Sequence, residues 1–303
     1  MNVVHACLRA LATGIVAAFV AASALAADPL PVLLATPGGP TAGPTAGVPV
    51  PAGPAVARLR EVTVDFGLID PRMPTAPAEL AVELFDGRFL TLDRLRIDVR
   101  APGNYTWYGR VRGFGRSDAV LTVVDGYVAG SIVVVDAEAR TTVAFELLSG
   151  PDGTPWLREL DPAGFPRDHP EGSEGRTIPP QGLGGALQSP QDTPVADSGS
   201  TVDVMVVYSN QTAAAAGGSI VAQIQQAVDR ANLAYANSNI APRLRLVHYA
   251  QVAYNESGNF NTDLDRITST NDGHMDEVHT WRDTYAADLV ALFIENGAYC
   301  GLG

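Results

Sequence analysis

The sequence contains no lysine, so all twenty of its basic side chains are arginines, against thirty-three acidic residues. The formal net charge of the 303 residues is −13 at pH 7. Binding to phosphate backbones or anionic headgroups needs clustered cations, and the arginines form no basic stripe along the chain. The composition therefore argues against nucleic acids and anionic membranes as partners.

Long hydrophobic runs are also missing, because no apolar stretch reaches the roughly 18 residues that a membrane span needs. The longest apolar run, residues 11–22, follows a single cation, Arg9, and precedes the small-residue pattern Ala24-Leu25-Ala26. This arrangement is typical of a cleaved signal peptide. We interpret residues 1–26 in this way, in preference to an N-terminal membrane anchor. We expect a secreted or periplasmic protein that has no membrane partner after cleavage.

Cysteine is scarce, since Cys7 and Cys300 are the two cysteines of the sequence. The first would leave with the signal peptide, and exported proteins normally pair their cysteines. Cys300 is therefore either a free thiol or one half of a disulfide whose partner lies outside these 303 residues.

Composition divides the chain after residue 26 into four segments. Residues 27–55 are rich in Pro, Ala, Gly and Thr, which predicts a flexible tether. Residues 56–166 alternate short apolar runs with the hairpin signals Asp86-Gly87 and Asp125-Gly126, which predicts an antiparallel all-β unit. Residues 167–200 are again rich in Pro, Gly and Ser and form a predicted linker.

From residue 201 the pattern predicts alternating strands and helices. Residues 202–208, 244–253 and 288–294 are apolar runs of strand length, and 202–208 has the continuous apolarity of a strand buried on both faces. Residues 219–236 predict a helix with one buried stripe, and a second helix follows residues 271–273. This alternation indicates a mostly parallel sheet with two main helices, so the whole chain is assigned to the α+β class.

The common catalytic motifs are missing. The sequence has no Gly-x-Ser-x-Gly, no HExxH and no glycine-rich phosphate loop after the strand at 202–208. His274 and His279 are five residues apart, and on one helix they would point about 140° away from each other, so they cannot share a metal as an i, i+4 pair does. His248 is interpreted as a half-buried strand residue. No residue is therefore predicted to be catalytic or to bind a metal.

Several short motifs nevertheless follow residue 201 in a characteristic order. The sequence reads VDVMVVY at 202–208, ANLAYANS at 231–238 and LRLVH at 244–248, then DEVH at 276–279, ADLV at 287–290 and YCGLG at 299–303. Residues 201–303 thereby resemble the metzincin zinc peptidases, in particular the bacterial reprolysin-like (adamalysin-type) branch. The β-rich region, which carries YTWYG at 105–109, is similar to the amino-terminal prosequence of the same precursors.

The resemblance implies a secreted zinc metalloendopeptidase precursor whose partners are protein or peptide substrates. Its edge strand, which binds substrate by strand addition, would begin at Gly301, Leu302 and Gly303. The family's zinc motif, HExxHxxGxxH, comes after that strand and holds the three zinc-binding histidines and the glutamate that activates water. We therefore expect zinc in the complete protein, none bound by this chain, and a disulfide from Cys300 to a later cysteine.

Two further expectations rest on this resemblance. The chain as given should be an inactive and poorly stable fragment, because a parallel sheet needs cover on both faces. The β-rich region should be a prosegment that inhibits the enzyme and assists its folding. The resemblance also allows calcium, to which Asp203 or Asp288 could contribute, but acidic residues at strand starts are more often capping or solvated, and we do not assign them to an ion.

Other classes of protein remain as alternatives. The first is a secreted, non-catalytic binding or adhesion protein with a β-domain and an α/β domain. The Asp-x-Ser-x-Ser ligand site of domains that resemble von Willebrand A is absent after residue 208. The second is a catalytically dead relative that acts as an inhibitor or scaffold. For the β-rich region alone, the alternative is a carbohydrate- or surface-binding domain.

Overall fold

The structure is a computed structural model that describes residues 29–37, 53–74, 76–166, 201–298 and 301. Its helices and strands lie in one compact unit, Pro31–Gly303. This unit contains a large, mainly antiparallel sheet before residue 166 and a small parallel sheet after residue 200. The prediction of a mixed α+β fold is confirmed.

The large sheet rolls around its own core. Within the described ranges it has ten strands: Val32–Ala35 (β1), Val56–Glu61 (β2), Thr63–Val64 (β3), Glu79–Glu83 (β4), Phe89–Ala101 (β5), Asn104–Val111 (β6), Asp118–Val124 (β7), Tyr127–Asp136 (β8), Thr141–Ser149 (β9) and Pro155–Leu160 (β10). Their spatial order is β2-β10-β9-β8-β7-β6-β5-β4-β1-β3. Since β2 and β3 are consecutive in sequence but lie at opposite ends of this order, the segment that carries them closes the sheet.

Both predicted hairpin turns are present. Asp86 and Gly87 have φ values of 60° and 66°, and they lie between the antiparallel strands β4 and β5. Asp125 and Gly126 have φ values of 49° and 86° and join β7 to β8. Two consecutive residues with positive φ match the right-handed twist of the flanking strands, which explains why Asp-Gly pairs occupy these turns.

The first strand corrects part of the sequence-based interpretation. Residues 27–55 were expected to be a tether, but β1 pairs with β4 and β3, and Leu33 and Leu34 are fully buried. They join the core that contains Trp107, Leu121 and Ile132. Composition averaged over the whole segment hides this short apolar run. Residues 38–52 lie outside the described residues.

The small sheet contains three parallel strands in the order β12-β11-β13. In chain order its elements are Thr201–Tyr208 (β11), Asn210–Ala216 (α1), Ile220–Asn237 (α2), Arg243–Gln251 (β12), Phe260–Thr268 (α3), Glu277–Thr284 (α4) and Leu289–Phe293 (β13). The sequence predicted neither α1 nor the full length of α3. Both are short helices that begin at capping side chains, Ser209 and Asn259. Helix α1 has no apolar stripe, and the stripe of α3 contains only Phe260, Leu264 and Ile267.

Helix α2 is buried on two faces, whereas the sequence predicted one buried stripe. Ile220 and Ile224 pack on the small sheet beside Val206. Ala222 packs on the large sheet against Val124 and Ala129. The helix therefore lies between the two sheets. No helix in the described part of the chain combines the length and apolar composition of a membrane span.

Candidate functional site

The loop after β11 brings together the carboxyl ends of the parallel strands, where ligands bind in many α/β sheets. Ser209 Oγ accepts a hydrogen bond from the Thr212 backbone N–H at 3.0 Å and thereby caps α1. The Ser209 backbone N–H donates to the Phe293 carbonyl at 3.2 Å, and the Asn210 N–H donates to the Tyr254 carbonyl at 2.9 Å. The loop thus connects the ends of β11 and β13 with the segment that follows β12.

Glu256 fixes the same region with its carboxylate. Its Oε1 accepts hydrogen bonds from Ser209 Oγ at 2.6 Å and from the Glu295 backbone N–H at 2.8 Å. Its own backbone N–H donates to Gln211 Oε1 at 3.2 Å. Because this carboxylate joins three loops, its geometry is that of a structural cross-link.

An open groove of about 530 Å³ runs along β13 beside α3. Phe260, Leu264 and Ile267 of α3 line one side, and residues 290–296 line the other. Because β13 is the last strand in the order of the small sheet, its outer backbone edge has no partner strand among the described residues. The groove has a mixed polar and apolar lining. An unpaired strand edge beside such a groove can bind an extended peptide by strand addition.

The predicted substrate-binding residues begin at the end of this groove. Gly301 lines the groove and is exposed. Leu302, Gly303 and Cys300 lie outside the described residues. The substrate-binding role of the three C-terminal residues and the disulfide of Cys300 therefore stay predictions.

Asp263, in the first turn of α3, contributes a buried carboxylate to the groove wall. Its Oδ1 accepts hydrogen bonds from the Tyr254 hydroxyl and from the Ser257 backbone N–H. Its Oδ2 is buried without a hydrogen-bond partner among the described residues. Burial raises the pKa of Tyr254, and the hydrogen bond to Asp263 adds to that effect. The phenol therefore stays protonated and acts as a donor to the carboxylate.

The described histidines are separated by the fold. Helix α4 begins at Glu277, so His274 lies before the helix, and the premise that it shares a helix with His279 was wrong. His279 Nε2 lies 2.8 Å from the Ser269 carbonyl oxygen. His248 stacks on Tyr285 with ring centroids 3.9 Å apart, and burial lowers its pKa. Within the described ranges no group of three His, Cys, Asp or Glu residues could hold a metal ion.

The two candidate calcium ligands have protein partners. Asp203 forms two hydrogen bonds of 2.7 Å with the Arg245 guanidinium, and these bonds lower the pKa of its carboxyl. Asp288 Oδ2 accepts a hydrogen bond from the Asp203 backbone N–H at 2.8 Å. These contacts join the starts of the three parallel strands, and neither carboxylate is arranged with others around a cation.

Two kinds of sequence similarity accompany this geometry. Residues 198–303 match the model Reprolysin_5, metallo-peptidase family M12. A protein of Xanthomonas campestris pv. campestris named Peptidyl-Asp metalloendopeptidase is 34% identical in an alignment of 264 residues that covers 83% of this chain and 60% of the relative. A protein of the same name from Stenotrophomonas maltophilia (strain R551-3) is 33% identical over 263 residues, with the same coverages.

These matches extend well beyond residues 198–303, so they include much of the β-rich region. The chain spans about 60% of the length of these relatives. The crystal structure of metalloproteinase-II from Bacteroides fragilis is similar with a TM-score of 0.31 and 10% identity, over 67% of this chain and 61% of that chain. This structural likeness is too low to support an argument about the fold.

Proposed function

We propose that this chain belongs to the reprolysin-like metallopeptidases of family M12 and that it is, or is part of, a secreted zinc metalloendopeptidase precursor. The observation that carries the proposal is the identity of 33–34%, over 83% of this chain, to relatives named Peptidyl-Asp metalloendopeptidase. The proposed substrates are proteins or peptides. The name of the relatives favours peptide bonds next to aspartate.

The described residues do not fit a zinc ion. None of them forms a metal-binding group of three His, Cys, Asp or Glu side chains, and the motif HExxH occurs nowhere in the 303 residues. We therefore assign no residue here as a zinc ligand or as the general base. In this proposal the zinc-binding motif belongs to the part of the relatives' length that this chain does not span.

This chain would contribute the surface that positions the substrate. The proposed edge strand begins near Gly301, next to the groove along β13. Strand addition supplies affinity through backbone hydrogen bonds, and side-chain pockets beside the strand supply specificity. The loops held by Ser209 and Glu256 would keep this end of the sheet rigid.

The β-rich region is proposed to be a prosegment. Its support is the similarity to the relatives named Peptidyl-Asp metalloendopeptidase, which reaches into this region, together with its position before the predicted linker at 167–200. We propose that it assists the folding of the part that follows residue 200, because it covers one face of α2.

The experiment is to read the coding sequence beyond codon 303 and to express the whole frame without residues 1–26. We expect HExxHxxGxxH downstream and hydrolysis of an aspartate-containing peptide that a chelator abolishes and zinc restores. A variant with glutamine for the motif glutamate is the matched control. The proposal would be contradicted if the protein expressed from the whole reading frame showed no hydrolysis that a chelator abolishes. Equal cleavage of a peptide with asparagine for aspartate would remove only the aspartate preference.

A further inference from the structure

Helix α2 presents a second face to the large sheet. Ala222, Gln226, Asp229 and Leu233 follow one another at spacings of four, three and four, so they share one side of the helix. Ala222 lies in the apolar contact with the sheet, and Gln226 Nε2 donates to Ser131 Oγ at 3.2 Å. This face is thus a mixed apolar and polar docking surface that the large sheet occupies.

Asp229 is the main polar contact of this surface. Its side chain is 9% exposed. Arg100 Nη2 lies 2.5 Å from both of its carboxylate oxygens, and the hydroxyls of Thr106 and Thr122 lie 2.6 and 3.2 Å from Oδ2. All three partner side chains belong to the large sheet, on β5, β6 and β7. A buried carboxylate is stable when such donors surround it and costly when they are removed.

The large sheet has the complementary polar patch. Thr106 and Thr122 are opposite each other on β6 and β7, are fully buried, and have hydroxyl oxygens 3.0 Å apart. Burying polar groups on a sheet face is unfavourable unless they are hydrogen-bonded. Asp229 accepts from both hydroxyls, so each surface satisfies the polar groups of the other.

The loop before α2 fits the large sheet closely. A Cβ atom at Gly218 would lie 2.2 Å from Cζ of Tyr127, at the start of β8. A Cβ atom at Gly217, which has φ +53°, would lie 2.7 Å from Cα of Pro151, in the turn between β9 and β10. The approach of these two glycines is a second, independent sign that the two surfaces have complementary shapes.

The contact with α2 leaves the groove along β13 uncovered by the large sheet. The groove is lined by Thr212 and by residues that follow it in sequence. Among the described residues of the β-rich region, none lines this groove. Gln223 and Glu295 of the groove also line a second cavity together with Ser149 and Arg158 of the large sheet. The large sheet therefore reaches the end of the groove and leaves its length along β13 open.

We propose that residues 29–166 recognise α2 through Asp229 and stay bound as a separate polypeptide when the connection at 167–200 is cut. The inference rests on the proposed function in so far as it treats the β-rich region as a prosegment. The binding itself needs no metal and no catalysis. Recognition depends on the Arg100 guanidinium and on the two threonine hydroxyls.

The test uses the full chain without residues 1–26 and with a specific protease site placed between residues 167 and 200. The folded chain is cleaved and the two parts are followed by size-exclusion chromatography and by dilution. We expect the cleaved wild type to elute as one complex. We expect Arg100→Gln and Asp229→Asn to raise its dissociation constant by about 100-fold or more, as breaking a buried ion pair does.

Arg112→Gln is the matched control. Arg112 also belongs to the large sheet region and pairs with Asp93 and Glu79, but its partners lie within that sheet and its side chain is 48% exposed. We expect this variant to dissociate like the wild type. Thr122→Val removes a single hydroxyl donor from Asp229 and should weaken the complex by about 10-fold, so the proposal stays testable if Asp229→Asn fails to fold.

Two results would overturn the inference. One is a cleaved wild type that separates into two parts without denaturant. The other result is that the cleaved complexes of the Arg100→Gln and Thr122→Val variants dissociate no more readily than the complex of the Arg112→Gln variant. The proposed function can fail separately. If the protein expressed from the whole reading frame has no peptidase activity but the cleaved complex is stable, this inference is supported and the proposed function is not.

Discussion

The two sheets of this protein differ in how they are covered. In the large sheet the central strands β6, β7 and β8 are buried almost throughout, and Trp107, Leu121 and Ile132 are inaccessible to solvent. In the small sheet the edge strand β13 is only half-buried, and Leu289 is 54% exposed. The large sheet rolls up and supplies its own core, whereas the small sheet has three strands and obtains cover from helices.

Helix α2 shows what this difference means for stability. It packs on the small sheet with Ile220 and Ile224 and on the large sheet with Ala222. The small sheet is therefore covered on one side by a helix that the large sheet holds in place. We expect the large sheet to be the stable part of the molecule and β13 to be the part that opens first.

Hydrogen exchange should show the largest contrast between the two parts. We expect the backbone amides of β7 and β8 to exchange at least about a hundredfold more slowly than those of β13, because opening free energies range from near zero at exposed edges to the global value in a core. Mass spectrometry of peptic fragments measures both in one experiment. Equal protection of the two parts would break the comparison.

Truncation in the core of the large sheet should have the next largest effect. We expect Trp107→Ala to lower the free energy of unfolding by about 3–5 kcal/mol, since this side chain is fully buried. The matched control is Phe89→Ala, whose side chain is 56% exposed, with an expected change within about 0.5 kcal/mol. Urea unfolding followed by circular dichroism measures both. A small effect of Trp107→Ala would show that the core does not dominate stability.

Asp118 should make the large sheet less stable at neutral pH. Burial raises the pKa of this half-buried carboxyl, and the charge of Arg230 offsets only part of that effect. Because the pKa of Asp118 is higher in the folded than in the unfolded protein, protonation of this carboxyl stabilises the native state. This stabilisation is complete below the unfolded pKa and is lost as the pH rises through the folded pKa. We expect Asp118→Asn to raise the unfolding free energy at pH 7 by roughly 1 kcal/mol.

The effect of Asp118→Asn should shrink as the pH falls through the folded pKa and should level off below about pH 3, where the carboxyl is protonated in both states. Chemical unfolding at a series of pH values measures this. A gain that is constant across that range would exclude titration of Asp118 as its cause.

Asp203 of the small sheet should show the opposite sign and the smallest effect. Hydrogen bonds from Arg245 lower the pKa of its carboxyl. The stability it contributes is therefore present above the unfolded pKa and lost as the pH falls through the folded pKa. We expect Asp203→Asn to lower the unfolding free energy at pH 7 by at most about 1 kcal/mol, because Arg245 is 65% exposed.

The loss in Asp203→Asn should begin to shrink as the pH falls below about 4, should disappear below the folded pKa of Asp203, and should be smaller in concentrated salt, which screens exposed pairs. The same urea titrations, repeated at low and high ionic strength, measure both dependences. A loss that grows in acid would show that the ion pair is not its source.

Local patterns predicted the elements with strong periodicity. The hairpins at Asp86-Gly87 and Asp125-Gly126, the strand at 202–208 and the long helix α2 depend on short-range geometry, and the structure contains all of them. The pattern missed β1, because its apolar run is only a few residues long and lies within a Pro- and Gly-rich segment. It also missed α1, which depends on the capping hydroxyl of Ser209 more than on apolar spacing.

The candidate site was predicted only in outline. The resemblance placed the substrate-binding edge at Gly301, and this residue does lie at the groove along β13, while its role is still a prediction. Sequence reasoning gave no role to Asp263, Tyr254 or Glu256. Their contacts join residues 6 to 47 positions apart in sequence, and the periodicity of a helix or strand does not predict such contacts. An acidic residue in the first turn of a short helix was the one available signal for Asp263.

The sequence by itself indicated the resemblance to the reprolysin-like metallopeptidases, the acidic and lysine-free composition, and the strands and helices with strong periodicity, because these depend on composition and on neighbouring residues. The tertiary structure alone decided that α2 has two buried faces and that Asp229 is neutralised by Arg100 on a distant strand. From a sequence pattern alone, a polar residue on a helix is expected to be exposed to solvent. Only the packing of the second sheet against that helix turns it into a buried contact.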